Sequence, residues 1–285
     1  MFFIQNQYRY FMQKNIQAVQ YTLENFDNKE YLLNIFNTVL AQKCVIIGSL
    51  TAPDSECIEL LLLIHTLKQS KAEKIILWSP YLGYQRQENI MMNKSTGLLW
   101  ADTMLKAAGV DLVITVDAHN EKSLLSLQVP VRSYSMKSVF FEEINYFVYR
   151  GFSFVFPDAG SVDRYAWLTE SFPMVEYAFF FKKRIFNQIL FDSFHGTIQQ
   201  RVIIFDDILD SGKTLVQTCL LLRNMGVQEI VIFVSHAFFS GHVWKDLWGI
   251  GVTVLYCTDS VPAVQSISSM PVSVKSISFL LQKSI

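Results

Sequence analysis

Residues 201–215 read RVIIFDDILDSGKTL. The run Val202–Phe205 is apolar on consecutive positions, the pattern of a strand covered on both faces. It delivers Asp206 and Asp207 to its end, and the loop Asp210-Ser211-Gly212-Lys213-Thr214 then opens a helical pattern over Thr214–Met225. Small residues and a glycine let backbone N–H groups face a phosphate, and a helix N-terminus adds a favourable dipole. Two carboxylates just before the loop suit hydrogen bonding to ribose hydroxyls. Gly212-Lys213-Thr214 has the look of a Walker A tail, but that motif needs a glycine five positions earlier, where this chain has Asp207. The aspartates could simply charge the first turn of a helix. Three of them around a Gly-Lys-Thr loop, directly after a buried strand, favour a ligand.

The same grammar repeats outward. Apolar runs occur at 44–50, 74–80, 111–117, 152–158, 174–181, 229–236 and 251–257, with helical patterns over Ser55–Gln69, Leu98–Ala108 and Val243–Leu247 between them. Gly109, Gly226 and Gly249 sit where helices should end, and Val272–Lys283 reads as a terminal helix. Alternation of this kind predicts an α/β fold of mainly parallel sheets flanked by helices. The two halves are organised alike, which divides the chain into domains at 1–135 and 136–285, with the 272–285 tail free to return to the first. Ligands of parallel sheets bind beyond the carboxyl ends of strands. Here those ends read SPYLGYQRQE, VDAHN, FPDAGS and FDDILDSGKT.

Composition narrows the function classes. In 285 residues, 51% hydrophobic and 17% charged content excludes disorder. A formal net charge of −1 leaves no basic footprint for nucleic acid. Mean hydropathy is +0.26, yet no run approaches the roughly 18 apolar residues of a membrane span. Polar Gln5, Asn6, Gln7 and Arg9 interrupt the first residues, so no signal-peptide core is expected. The four cysteines are scattered without a CxxC pair, as buried thiols of a reducing compartment would be. A cytoplasmic protein follows as the expectation.

The strand-end segments together resemble the ribose-phosphate diphosphokinase family, whose enzymes make 5-phosphoribosyl 1-diphosphate. SPYLGYQRQE is similar to its PYxxYxRQD segment, VDAHN to DLH, FPDAGS to PDxGG, SHAFFSG (235–241) to THxxxSG, and NFDNKEYLLNI (25–35) to the FSDGE stretch. AFFFKKR (178–184) resembles the Lys-x-Arg that opens the family's catalytic loop. The resemblance runs in order from about residue 22 to 260, and implies two tandem type I phosphoribosyltransferase-like domains. It further implies that Asp206, Asp210, Ser211, Gly212, Lys213 and Thr214 bind ribose 5-phosphate with Arg184. Arg86 and Gln87 would contact ATP, and Asn28, Lys29 and Glu30 would meet adenine from a neighbouring subunit of a homo-oligomer. His119 and Asp158 would serve the magnesium (Mg2+)–ATP complex, with Lys182 and Arg184 catalytic. Nucleic acid and membrane are not among the implied partners.

The chain departs from the family pattern at several points. Asn28 and Lys29 replace an acid and a glycine, Glu88 replaces Asp, Asn89, Ile90, Met91 and Met92 follow Glu88 in place of basic residues, and Ser161 replaces the second glycine of PDxGG. Two other readings therefore stay open: a catalytically weak regulatory homologue, and a phosphoribosyltransferase that consumes the activated sugar.

Overall fold

Apolar runs flanked by charged ends become buried parallel strands, because helices on both faces take up their side chains. A computed structural model describes the chain apart from Asn15, Met91, residues 186–187 and 268–269, and Ile285; for the remainder of 182–192 and for Ser284 it describes the backbone alone. The chain divides into two compact units, Met1–Ser135 with Ile277–Ile285, and Met136–Ser276.

In the first unit the elements are β1 (Phe2–Ile4), β2 (Tyr21–Asn25), β3 (Tyr31–Ile35), β4 (Lys43–Ile47), α1 (Asp54–Gln69), β5 (Lys74–Ser79), α2 (Gly97–Ala108), β6 (Leu112–Val116), α3 (Glu121–Leu124) and β7 (Val131–Tyr134). The sheet runs β1-β4-β5-β6-β7 and every pairing is parallel. Helix α1 buries Cys57, Leu60, Ile64 and Leu67, the stripe that a 3.6-residue period places on one face. A 3-10 helix over Asn6–Lys14 adds Phe11, edge-on to Trp78 at 5.4 Å between ring centroids. Strands β2 and β3 form a separate antiparallel hairpin.

The second unit contains α4 (Lys137–Tyr149), β8 (Ser153–Phe156), α5 (Ala159–Arg164), α6 (Ala166–Ser171), β9 (Tyr177–Ile185), β10 (Gln188–Gly196), β11 (Arg201–Leu209), α7 (Lys213–Asn224), β12 (Glu229–Ala237), α8 (Asp246–Ile250), β13 (Val252–Thr258) and β14 (Val272–Lys275). The order is β10-β9-β8-β11-β12-β13-β14, parallel except where β10 turns back on β9. Its core is aromatic. Phe154 meets Phe205 edge-on at 5.3 Å, and Phe233 stacks on Tyr256 at 4.6 Å, arrangements that add to simple burial. Helix α9 (Ser278–Ser284) belongs to the first unit.

Three expectations need correction. Val272–Lys283 is not one helix: β14 adds in parallel to β13, and only the end of the segment coils into α9. Gly249 lies inside α8, and the left-handed cap is Gly251, at φ 106°. The run 174–181 is strand only from Tyr177 onward, and Phe179–Phe181 are not all buried as a doubly covered strand would be: Phe180 is buried and Phe181 is 40% exposed, because β9 alternates its faces and runs past the end of β8. All four cysteines are free and buried. Among the described residues, no helix is long and apolar enough to cross a membrane.

Candidate functional site

In the second unit, β9, β8 and β11 are neighbours, so their carboxyl ends share one edge of the sheet. Strand β11 carries Asp206 and Asp207, paired with β12 through Asp206 and Val234. Asp206 Oδ1 accepts the Asp207 N–H at 3.0 Å. The Asp207 carboxylate turns inward and meets Arg164 at 2.7 Å, with both groups largely buried. Of the two strand-end carboxylates, Asp207 is therefore held by α5. Sequence reasoning missed Arg164, since nothing in a lone arginine after a short helix signals its partner.

The loop that follows is shaped by Gly212. It caps α7 at φ 81°, and a Cβ there would stand 2.7 Å from both Cα and Cβ of Trp244. Only glycine permits that conformation at that distance. The first helical bond of α7 runs from the Val216 N–H to the Gly212 carbonyl. The N–H groups of Lys213, Thr214 and Leu215 thus precede the intrahelical ladder, as at any helix start. The loop is pinned from behind, where the Phe238 N–H donates to the Leu209 carbonyl and the Ser240 N–H to the Asp210 carbonyl, at 2.7 and 3.0 Å. Asp210 and Lys213 are exposed; Ser211 and Thr214 are partly so. This is a rigid backbone cradle at a helix N-terminus, suited to an anion.

Asp158 follows β8 and caps α5. Its Oδ1 accepts both the Ser161 N–H and the Ser161 hydroxyl, each at 2.9 Å. Ser161 thereby gives the cap a second bond that glycine could not. Lys182 and Arg184 lie on β9 beyond Phe179, the residue that pairs with Phe156 of β8; in the hairpin Lys182 is opposite Phe191 and Arg184 opposite Ile189. Their side chains lie outside the described residues.

In the first unit, β5 and β6 are adjacent, and the loops beyond them are brought together. The His119 N–H donates to Gln85 Oε1 at 2.8 Å, and Asn120 Nδ2 to Glu88 Oε1 at 3.1 Å. Arg86 and Gln87 are exposed between these two contacts, and His119 is partly exposed. Gln85 was not singled out from the sequence; its position beside Arg86 was the available signal. Asn28, Lys29 and Glu30 form the exposed turn of the β2–β3 hairpin, on a different sheet. Lys29 takes φ 70°, and Asn28 Oδ1 accepts the Glu30 N–H at 3.1 Å. Among the described residues, no cluster of three His, Cys, Asp or Glu side chains could hold a metal ion by itself.

These site segments coincide with known families. The N-terminal domain of ribose phosphate pyrophosphokinase matches residues 8–109, and a phosphoribosyl transferase domain matches 145–246. A putative ribose-phosphate pyrophosphokinase 2 of Streptococcus agalactiae serotype V is 30% identical over 254 residues, covering 86% of this chain and 76% of the relative. A ribose-phosphate pyrophosphokinase of Vibrio vulnificus is 27% identical over 252 residues, covering 84% and 78%. The crystal structure of phosphoribosylpyrophosphate synthetase from Mycobacterium smegmatis superposes with a TM-score of 0.87 at 22% identity, covering all of this chain and 96% of that one. It shares the fold: two α/β domains with mainly parallel sheets. With both domain models matched in order and a relative covered over three quarters of its length, this chain belongs to the ribose-phosphate pyrophosphokinase family.

Proposed function

We propose that the protein transfers the β,γ-diphosphoryl group of ATP to the C1 hydroxyl of ribose 5-phosphate, giving 5-phosphoribosyl 1-diphosphate and AMP. The observation that carries this reading is the cradle at the start of α7, held open by Gly212 at φ 81° and preceded by Asp206. In it, the backbone N–H groups of 211–214 and Lys213 hold the 5-phosphate, and Asp206 and Asp210 take the ribose hydroxyls. Arg86 and Gln87 contact ATP, and the turn Asn28-Lys29-Glu30 of a neighbouring subunit meets adenine. Exposed Phe26 beside that turn, 51% accessible, supports a homo-oligomer with shared ATP sites.

The C1 hydroxyl gives up its proton as its oxygen attacks the β-phosphorus, and AMP leaves with the bridging oxygen. Charge spreads over phosphoryl oxygens, so positioned cations carry the catalysis. Lys182 and Arg184 supply them on the β9 hairpin. The donor set suits Mg2+ that arrives on the nucleotide, because this hard cation keeps several waters and takes phosphate oxygens. His119 and Asp158 would serve that complex. Bound magnesium would neutralise charge on the diphosphoryl group. Four buried free thiols suit a cytoplasmic setting.

The test is AMP release with Mg2+, ATP and ribose 5-phosphate, omitting each in turn. AMP should need all three, and Lys182→Ala should lower kcat by about 10²–10³-fold. Undiminished turnover in that variant would overturn the catalytic assignment. A regulatory homologue is the second reading, favoured by the amide in place of an acid at Asn28 and by the loss of basic residues after Glu88. It predicts nucleotide binding without AMP. A phosphoribosyltransferase would instead require a free nucleobase.

A further inference from the structure

The loops after β5 and β6 carry Arg86, Gln87 and His119, and side-chain hydrogen bonds of Gln85 to His119 and of Asn120 to Glu88 join them. Three successive N–H groups of the second loop are fixed in turn. Asp117 donates to the Tyr134 carbonyl at 2.8 Å and Ala118 to Ser133 Oγ at 3.1 Å, both belonging to β7. His119 donates across to Gln85 Oε1. Asp117 is buried at φ 46°, in the left-handed region where aspartate is among the few non-glycine residues commonly found. The first loop closes on itself, with the Gln87 N–H bonded to the Tyr84 carbonyl.

Gln85 is an expensive way to make that link. It is 2% exposed, and its Nε2 is buried without a hydrogen-bond partner; Glu88 Oε2 beside it in the loop is in the same state. An unpaired buried amide destabilises the folded chain, so an apolar side chain of similar size would serve folding better. What an apolar side chain could not do is accept the His119 N–H. We infer that Gln85 is a positioning residue for the nucleotide: through His119 it locks the two strand-end loops, so that Arg86, Gln87 and His119 meet the ATP phosphates as one preset surface. The inference rests on reading these loops as the ATP side of the site.

Two variants of the full chain test it. Gln85→Met removes the acceptor and keeps the volume; Gln85→Glu keeps an oxygen in its place. Amide hydrogen exchange followed by NMR reads the tether without any ligand. In Gln85→Met the His119 amide should exchange at least about tenfold faster, with melting temperature unchanged or raised, whereas Gln85→Glu should hold the wild-type rate. Calorimetry with the magnesium complex of β,γ-imido-ATP reads the consequence. Binding to Gln85→Met should weaken about tenfold, because the surface must then be ordered on binding, while the affinity for ribose 5-phosphate stays the same. Unchanged exchange at His119 would overturn the tether. Faster exchange with unchanged nucleotide binding, or equal loss of both ligands, would overturn the positioning role. A wild-type protein that neither binds the analogue nor releases AMP would sink the reading of the site instead, and the exchange measurement would still decide whether Gln85 holds His119.

Discussion

Helix α7 is bracketed by two glycines in the same backbone region, and they make a matched pair. Gly212 begins it at φ 81° and Gly226 follows its end at φ 91°. They differ in what a methyl group would meet. At Gly212 the Cβ would lie 2.7 Å from Trp244 Cα, and the Trp244 backbone nitrogen is 3.0 Å away; at Gly226 nothing lies within 4 Å. Gly226→Ala therefore carries only the left-handed penalty of about 1–2 kcal/mol, partly offset by about 0.4–1 kcal/mol because alanine restricts the unfolded chain. Gly212→Ala adds overpacking against main-chain atoms that cannot rotate away, about 1–3 kcal/mol more. At about 3 °C per kcal/mol for a unit of this size, the melting temperature should fall by no more than about 5 °C for Gly226→Ala and by about 3–14 °C for Gly212→Ala. Scanning calorimetry on the full chain measures both. Calorimetric titration with ribose 5-phosphate should show weakened binding for Gly212→Ala alone. Equal thermal losses would refute the steric argument, and unimpaired sugar-phosphate binding by Gly212→Ala would refute the role of the loop.

Asp158→Asn keeps an N-cap, since the two side chains cap about equally well, so the melting temperature should move by no more than about 2 °C. AMP release should fall at least tenfold if the Asp158 carboxylate serves the nucleotide complex; wild-type turnover would leave Asp158 as a cap alone. Burial raises the Glu56 carboxyl above its ordinary value, and the neighbouring Glu59 adds to this. A raised pKa in the folded state gives stability that is present at low pH and lost as pH climbs through it. Glu56→Gln should flatten that decline and be the more stable protein at pH 7, and parallel urea curves across pH would contradict this. Burial pushes the Cys219 and Cys257 thiols up to about 12. Iodoacetamide at pH 8 should leave both unmodified in the native protein and label them in urea; rapid native labelling would show that the core around them opens.

The strands were legible wherever both faces are buried. Runs such as Lys74–Ser79 and Glu229–Ala237 are apolar on consecutive positions because helices cover both sides of them. What escaped was decided by tertiary partners. The short edge strands β1, β7 and β14 have no more than five residues each and take their conformation from β4, β6 and β13. Within the site, the α7 loop could be read because its chemistry is continuous in sequence. The Arg164–Asp207 pair and the Gln85–His119 bond could not, since each joins segments more than thirty positions apart through side chains that carry no pattern.

The placement of β8 also bears on how the protein reaches its native state. Its two neighbours arrive at different times: Phe154 pairs with Tyr177 of β9, but Ser153 must wait for Val202 of β11. Loop-closure entropy makes the nearer pairing form first. Until β11 inserts, β8 presents an open, wholly apolar edge, FVF, of the kind that recruits strands from other chains. The strand that brings Asp206 to the loop opening α7 is thus the one that seals the sheet against self-association. Refolding yield should fall with protein concentration until β11 has docked, and variants that loosen β11 should aggregate before they lose their helices.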